Sequence, residues 1–402
     1  DVVLTADVTF DSGPTGADIL FSNSVEGTTA NSQSLTLDAG TSGLITVTGG
    51  IGELTSLRNL TLVDSNGTAF GTGNTDQVIT GTSVVLLSSQ ATKNVTFNGS
   101  LITPFLTTGV GVWNLLLLGS GTEIGTGAGT NLTRAAILNT GIVRLGDENS
   151  DTLLFRNGVL IQNAATIRLF GQIFSCGGNI ILGDIDTPIE LYANTSLIDT
   201  TWNSVFPNGA DITFGGPIEG MTGTGGENLT LTAGTVGDIT MFVNSGSRSR
   251  IGTLLITQTH HATLQAITAQ TLLQTTGTGT TTLNGTVNTT SATGVDITTT
   301  NIVVNALVTT IVDATVAASA PGIVNLFATA TAPGTTTGII TMLDPGRIVA
   351  SNDVTLRANR STTPAILVYE ASPADMYMTP QTRDFITTTT AGADVLIENS
   401  IN

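Results

Sequence analysis

Histidine is the side chain best suited to hold a metal or move a proton near neutral pH. This chain has two, His260 and His261, side by side. Neighbours on an extended strand point to opposite faces, so the pair is expected on a surface strand with its rings apart, not ligating one metal. A second constellation is Asp147-Glu-Asn-Ser-Asp151. It places Asp147, Asn149 and Asp151 in the D-x-N-x-D spacing that opens a calcium-binding EF-hand loop. The sixth position here is Thr152 where that loop needs Gly, and the twelfth is Gly158 where it needs Glu. The segment reads first as a polar turn and only weakly as a Ca2+ site, and no other cofactor is expected. Gly125-Thr-Gly-Ala-Gly129 lacks the register and following helix of a phosphate cradle. No Gly-x-Ser-x-Gly elbow supports a serine nucleophile. No catalytic centre is expected.

The elements that would position such groups follow from composition. The 402 residues are 40% hydrophobic, 10% charged and only 4% aromatic, with 47 Gly. About a fifth are Thr, far above the usual share. There is enough Val, Ile and Leu to bury a core, which argues against disorder. Twelve Lys and Arg stand against 30 acidic residues, a net charge of −18, and no basic run exists to neutralise phosphates. Nucleic-acid binding is therefore not expected. The longest nearly apolar run, Val110 to Leu118, is far short of the ~20 residues of a membrane-spanning helix. Cys176 is the only cysteine and can form no intrachain disulfide. Residue 1 is Asp, followed at once by strand-like Val-Val-Leu, which predicts a processed chain whose export signal lay elsewhere.

Apolar and β-branched residues alternate with period 2 in short runs: Leu44-Ile-Thr-Val47, Val95-Thr-Phe97, Asp211-Ile-Thr-Phe214. Asn66-Gly67, Asn98-Gly99 and Asn284-Gly285 punctuate them. Leu35-Thr-Leu-Asp-Ala-Gly-Thr-Ser-Gly-Leu-Ile-Thr-Val47 returns as Leu229-Thr-Leu-Thr-Ala-Gly-Thr-Val-Gly-Asp-Ile-Thr-Met241, nine of thirteen positions identical, at an offset of 229 − 35 = 194. Repetition on the scale of one coil predicts an all-β, right-handed parallel β-helix, a solenoid forming a single elongated rod over residues 1–402. A looser section is expected at about 100–220 and a Thr-rich one at about 225–402. Coils of roughly 18–25 residues would stack about 4.8 Å apart, with aliphatic residues lining the interior and Thr tolerated on the outward face because it is β-branched.

The Leu-Thr-Leu-x-Ala-Gly-Thr-x-Gly-x-Ile-Thr repeats resemble those of β-strand-repeat, filamentous-haemagglutinin-like giant surface proteins of bacteria. The likeness covers residues 30–70 and 225–360 best. It implies export, a β-helical scaffold, and adhesion or architecture at the cell surface. Enzymatic β-helices that cleave acidic polysaccharides cluster Asp with Arg or Lys beside aromatic platforms. Here the carboxylates are thinly spread and Trp113 and Trp202 stand far apart, so a lyase or glycosidase is the distant alternative.

Ala17-Asp-Ile-Leu-Phe-Ser-Asn-Ser-Val25 is echoed by Ala393-Asp-Val-Leu-Ile-Glu-Asn-Ser-Ile401, with five positions identical. Two readings of this stand side by side. One is a piece of a longer array, in which the echo is one more repeat. The other is a head-to-tail homopolymer in which Asp1, Val2, Val3 and Leu4 of one copy meet Val395, Leu396, Ile397 and Ile401 of the next. The expected function is an extracellular or cell-surface structural filament, with a glycan- or cell-binding adhesin as the alternative.

Overall fold

The computed structural model describes residues 1–125, 134–221, 225–313, 319–329, 337–343, 345–359, 366–369, 386–390 and 393–399. Among them there is no helix, and so none that could cross a membrane. The chain divides into two compact units, Asp1–Val205 and Phe206–Asn402.

In the first unit the chain visits three faces in turn and then returns to the first. The strands Val2–Leu4, Val8–Asp11 and Ile19–Phe21 lie on successive faces. They pair in parallel with Val25–Gly27, Leu35–Asp38 and Ile45–Val47 of the following coil. Every strand thus finds its partner one coil away, which makes the unit a parallel β-helix. Long strands fold round a corner: Val78–Leu86 pairs through Val78 and Ile79 with Leu101 and Ile102, and through Val84–Leu86 with Leu106–Thr108 on the next face. The second unit obeys the same rule. Ile267–Gln274 there gives Ile267 and Thr268 to one face and Leu272–Gln274 to the next.

Registration converts period-2 alternation into columns of like residues. In the first unit one inward column runs Val47, Phe70, Phe97, Leu117, Leu145, Leu169, Leu191, each paired with the next and all buried. In the second, Leu229, Leu254, Leu272, Val295, Val324 and Val354 form another, all fully buried. A one-residue slip would turn every member of a column to solvent, so the apolar pattern fixes the register.

Two expectations need correction. Coils are not confined to 18–25 residues. Pairing offsets in the first unit run from 20 (Leu153 to Ile173) to 31 (Glu123 to Leu154), and in the second from 18 (Ile251 to Ala269) to 41 (Val354 to Val395). Extra residues enter between strands, where they leave the stacking untouched. Nor is Thr found only on the outward face: Thr281 and Thr299 are fully buried. A buried hydroxyl is tolerated where it is hydrogen-bonded; Thr281 Oγ1 donates to Gln274 Oε1 at 2.7 Å and Thr299 Oγ1 to Gly279 O at 3.2 Å.

The repeated segments fold alike, and the repetition extends further than the pair of thirteen-residue copies. Each unit carries Pro-x-Gly-Ala-Asp-Ile (14–19 and 207–212) and a buried Glu before Gly (Glu26 and Glu219). Thr41 and Thr235 donate their amides to Pro14 O and Pro207 O at 3.3 and 3.0 Å. Glu26 Oε2 accepts the amides of Leu54 and Thr55, as Glu219 Oε2 accepts those of Arg248 and Ser249. Gly43 and Gly237 close the two corners: an added Cβ would lie 2.3 Å from Ala17 O in one and 2.3 Å from Ala210 O in the other.

A further device recurs in both units. The residue just before a strand, or the first residue in it, is often Asp or Asn, and its side-chain oxygen accepts the amide at the equivalent position of the next coil. Asp7 takes Ser34 N–H at 2.9 Å, Asp18 takes Leu44 at 2.8 Å and Asn114 takes Ile142 at 2.8 Å. In the second unit Asn228 takes Thr253 at 2.7 Å and Asp353 takes Asp394 at 2.9 Å. Chemically this is the helix N-cap solution, a short polar side chain standing in for a missing carbonyl, applied between coils. Asn114 also donates through Nδ2 to Thr92 O and Asn94 Oδ1. Replacing Asn114 by Ala is expected to destabilise the first unit by about 1–2 kcal/mol and to speed hydrogen exchange at the Ile142 amide. Asn114→Asp, which keeps the acceptor, should protect that amide nearly as well as the native residue.

Candidate functional site

The second unit brings together the groups best fitted for ligand chemistry, and it does so at a corner. The strand Ile251–Gln258 ends, Thr259 turns inward, and Ala262–Leu264 begins the next face. Thr259 is fully buried; its Oγ1 lies 3.1 Å from Gly237 O and 2.7 Å from His261 O, both acceptors. That peg tightens the bend and leaves His260 and His261 outside any strand. The strict alternation that would separate their rings does not apply, and the expectation of divergent imidazoles is overturned. Their centroids lie 3.8 Å apart, with the planes inclined at 59°.

Asp238, at the same corner one coil earlier, completes the group. Its Oδ1 accepts the His261 amide at 2.9 Å and lies 3.2 Å from His260 Nδ1. His260 and Asp238 are both partly exposed. Asp238, His260 and His261 each present one ligand atom within 4.8 Å of the other two.

The column of inter-coil caps explains the convergence. Asp211 Oδ1 accepts Asp238 N–H at 3.0 Å, Asp238 Oδ1 accepts His261 N–H, and His261 Nδ1 accepts Thr280 N–H at 2.9 Å. His261 therefore occupies a capping position usually filled by Asp or Asn. While its Nδ1 accepts, a neutral ring carries its proton on Nε2. Gly279 makes room, since a Cβ there would lie 2.7 Å from His261 Cε1 and Nδ1.

Asp147, Asn149 and Asp151 form a turn in the first unit. Asp151 is buried, and its Oδ2 accepts the amides of Asp147 at 2.7 Å and Glu148 at 2.8 Å. That oxygen is thus engaged within its own turn. Desolvation, then the hydrogen bond and charge of Asp151, push the Asp147 carboxyl above the ordinary range.

The outer surface of the first unit carries a patch that sequence reasoning missed. Arg144, Arg168 and Glu190 stand in register on three coils. Beside them Phe170 and Tyr192 stack at 4.9 Å and 13°. Arg144 lies over Phe170 at 4.3 Å, Arg168 over Tyr192 at 5.5 Å, and Arg168 pairs with Glu190 at 3.1 Å. Burial, followed by the charge of Glu190, raises the Tyr192 hydroxyl above its usual value. The signal in sequence was Arg-Leu at 144–145 and Arg-Leu-Phe at 168–170, 24 residues on and within the span of one coil.

Of the residues expected at the ends, Val2 and Val3 are 37% and 55% exposed, and Asp1 accepts a hydrogen bond from Ser24 Oγ at 3.0 Å. Leu4 is instead buried, packing beneath that edge. Val395, Leu396 and Ile397 are 45%, 47% and 56% exposed. Ile401 lies outside the described residues.

The chain matches no protein-family model, no curated protein and no solved structure.

Asp151→Ala should cost about 1–3 kcal/mol through two stranded turn amides, read as a lowered denaturation midpoint. The raised Asp147 carboxyl means that the folded state holds its proton more tightly than the unfolded chain, so this group's contribution to stability falls as pH rises through the carboxylate range. Asp147→Asn should therefore equal or slightly exceed the native chain at pH 7. The difference should vanish below about pH 3, under the ordinary Asp value.

Proposed function

We propose that this chain is a structural solenoid of an extracellular surface or matrix, built to be extended coil upon coil from one copy to the next. The observation that carries this reading is the register of the coils: Val295, Val324 and Val354 are paired in parallel, each with the next, and all are fully buried, so each coil is the template on which the next is laid. Resemblance to bacterial surface repeats and the acidic, Lys-poor composition are in keeping with export and with a soluble filament.

Electron microscopy of the purified chain at rising concentration tests this. Filaments are expected, and Val3→Asp combined with Leu396→Asp should abolish them while leaving the β circular-dichroism signal intact. Single particles at every concentration would sink the head-to-tail reading.

One observation favours a second reading, an adhesin for acidic glycans: the Arg144–Phe170–Arg168–Tyr192 patch joins cationic donors to aromatic surface. On that reading an immobilised uronic-acid polysaccharide retains the native chain, and Arg168→Ala with Tyr192→Ala releases it. Equal retention of both proteins would exclude the patch.

A further inference from the structure

We propose that Asp238, His260 and His261 form a surface site for a borderline divalent transition metal of the Zn2+ class. The first argument is donor chemistry. Two imidazoles and a carboxylate are the ligand set such ions take, with the remaining position left to water or to a group from another molecule. A hard cation such as Ca2+ would want oxygen donors only.

The second argument is distance. Metal–nitrogen and metal–oxygen bonds of about 2.0–2.2 Å at a tetrahedral centre put neighbouring ligand atoms roughly 3.3–3.6 Å apart. His260 Nδ1 and Asp238 Oδ1 are 3.2 Å apart, and His261 brings a ligand atom within 4.8 Å of both. A charge-assisted hydrogen bond would ordinarily be shorter, about 2.7–2.9 Å. The spacing is near the edge of a coordination tetrahedron, and small side-chain rotations close the third side.

The third argument is preorganisation. The Thr259 peg, the hydrogen bond that the His261 amide donates to Asp238 and the absence of a side chain at Gly279 hold both rings on one side of the corner. Asp211, the preceding cap of the same column, adds a second carboxylate nearby and so further favours a cation. One interaction opposes binding. His261 Nδ1 accepts the Thr280 amide, so a metal must displace either that hydrogen bond or the proton on Nε2. The affinity belongs in the micromolar range, not among the tightest structural zinc sites.

The test is calorimetric titration of Zn2+ into the full chain, paired with imidazole NMR. The protein has only two histidines, so single substitutions assign every ring signal. One equivalent of Zn2+ should bind and shift both rings. His260→Asn and His261→Asn should each weaken binding at least tenfold. His261→Asn keeps an acceptor for the Thr280 amide, as Asn228 does for Thr253, so its thermal midpoint should stay within a degree or two of the native one. That separates loss of a ligand from loss of a cap. Unmoved imidazole signals, or equal Zn2+ affinity in the double His→Asn variant, would overturn the proposal.

Discussion

A parallel strand has no hydrogen-bonding partner within its own coil. Its amides and carbonyls are satisfied only when the next coil lies against it in register, and an unsatisfied buried backbone group costs about as much as a lost hydrogen bond. Everything else in each unit answers to that constraint. Apolar columns exist because register repeats the same inward position, coil after coil. Corners can grow from a few residues to long insertions because only the strands must coincide. The two copies of the Ala-Gly-Thr corner reproduce each other to the level of individual carbonyls: Thr41 on Pro14, Thr235 on Pro207. Where the chain enters a strand, a side chain can supply an acceptor for the amide of the neighbouring coil. Asp7, Asp18, Asn114, Asn228 and Asp353 are such side chains.

Much of this architecture was legible in the residues, for a physical reason. Alternation such as Leu229-Thr-Leu231 marks a strand with one buried face, and thirteen-residue repeats that keep their turn glycines mark a unit that must stack on its like. The pairing partner of each strand was not legible. Offsets vary from 18 to 41 residues because insertions at corners are thermodynamically cheap. The capping rule was present in plain view, as Asp or Asn immediately before runs like Ile-Thr-Phe and Val-Thr-Leu. Read as turn-formers alone, these residues give no hint that their acceptors reach across to another coil.

The histidine pair shows where local rules stop. Alternation predicts divergent rings only for two residues inside one strand. Whether His260 and His261 lie inside a strand depends on Thr259, whose burial draws on Gly237 of the previous coil. That contact is 22 residues distant and invisible to any windowed pattern. Asp238 enters the same cluster for the same reason. It caps the position that His261 occupies one coil later. A solenoid assembles sites along its stacking axis, from residues spaced by coil length, so neither motif spacing nor sequence proximity reports them. The Arg144–Arg168–Glu190 row formed in the same manner, with Phe170 and Tyr192 carried alongside as the residues that follow their strands.

This manner of building also separates scaffold from chemistry. Inward positions are constrained, because each belongs to a column whose members are mostly apolar. Outward and corner positions carry one demand only, that a cap acceptor be present where a carbonyl is missing. Asp, Asn and His all meet it, yet they differ in what else they offer: a charge, a second donor, or a metal-binding nitrogen. Exchanging one cap for another is therefore nearly neutral for the fold while changing what the surface can bind. His261 is one such cap. It holds the Thr280 amide as Asn would, and at the same time faces Asp238 and His260 with a ring that Asn could not supply.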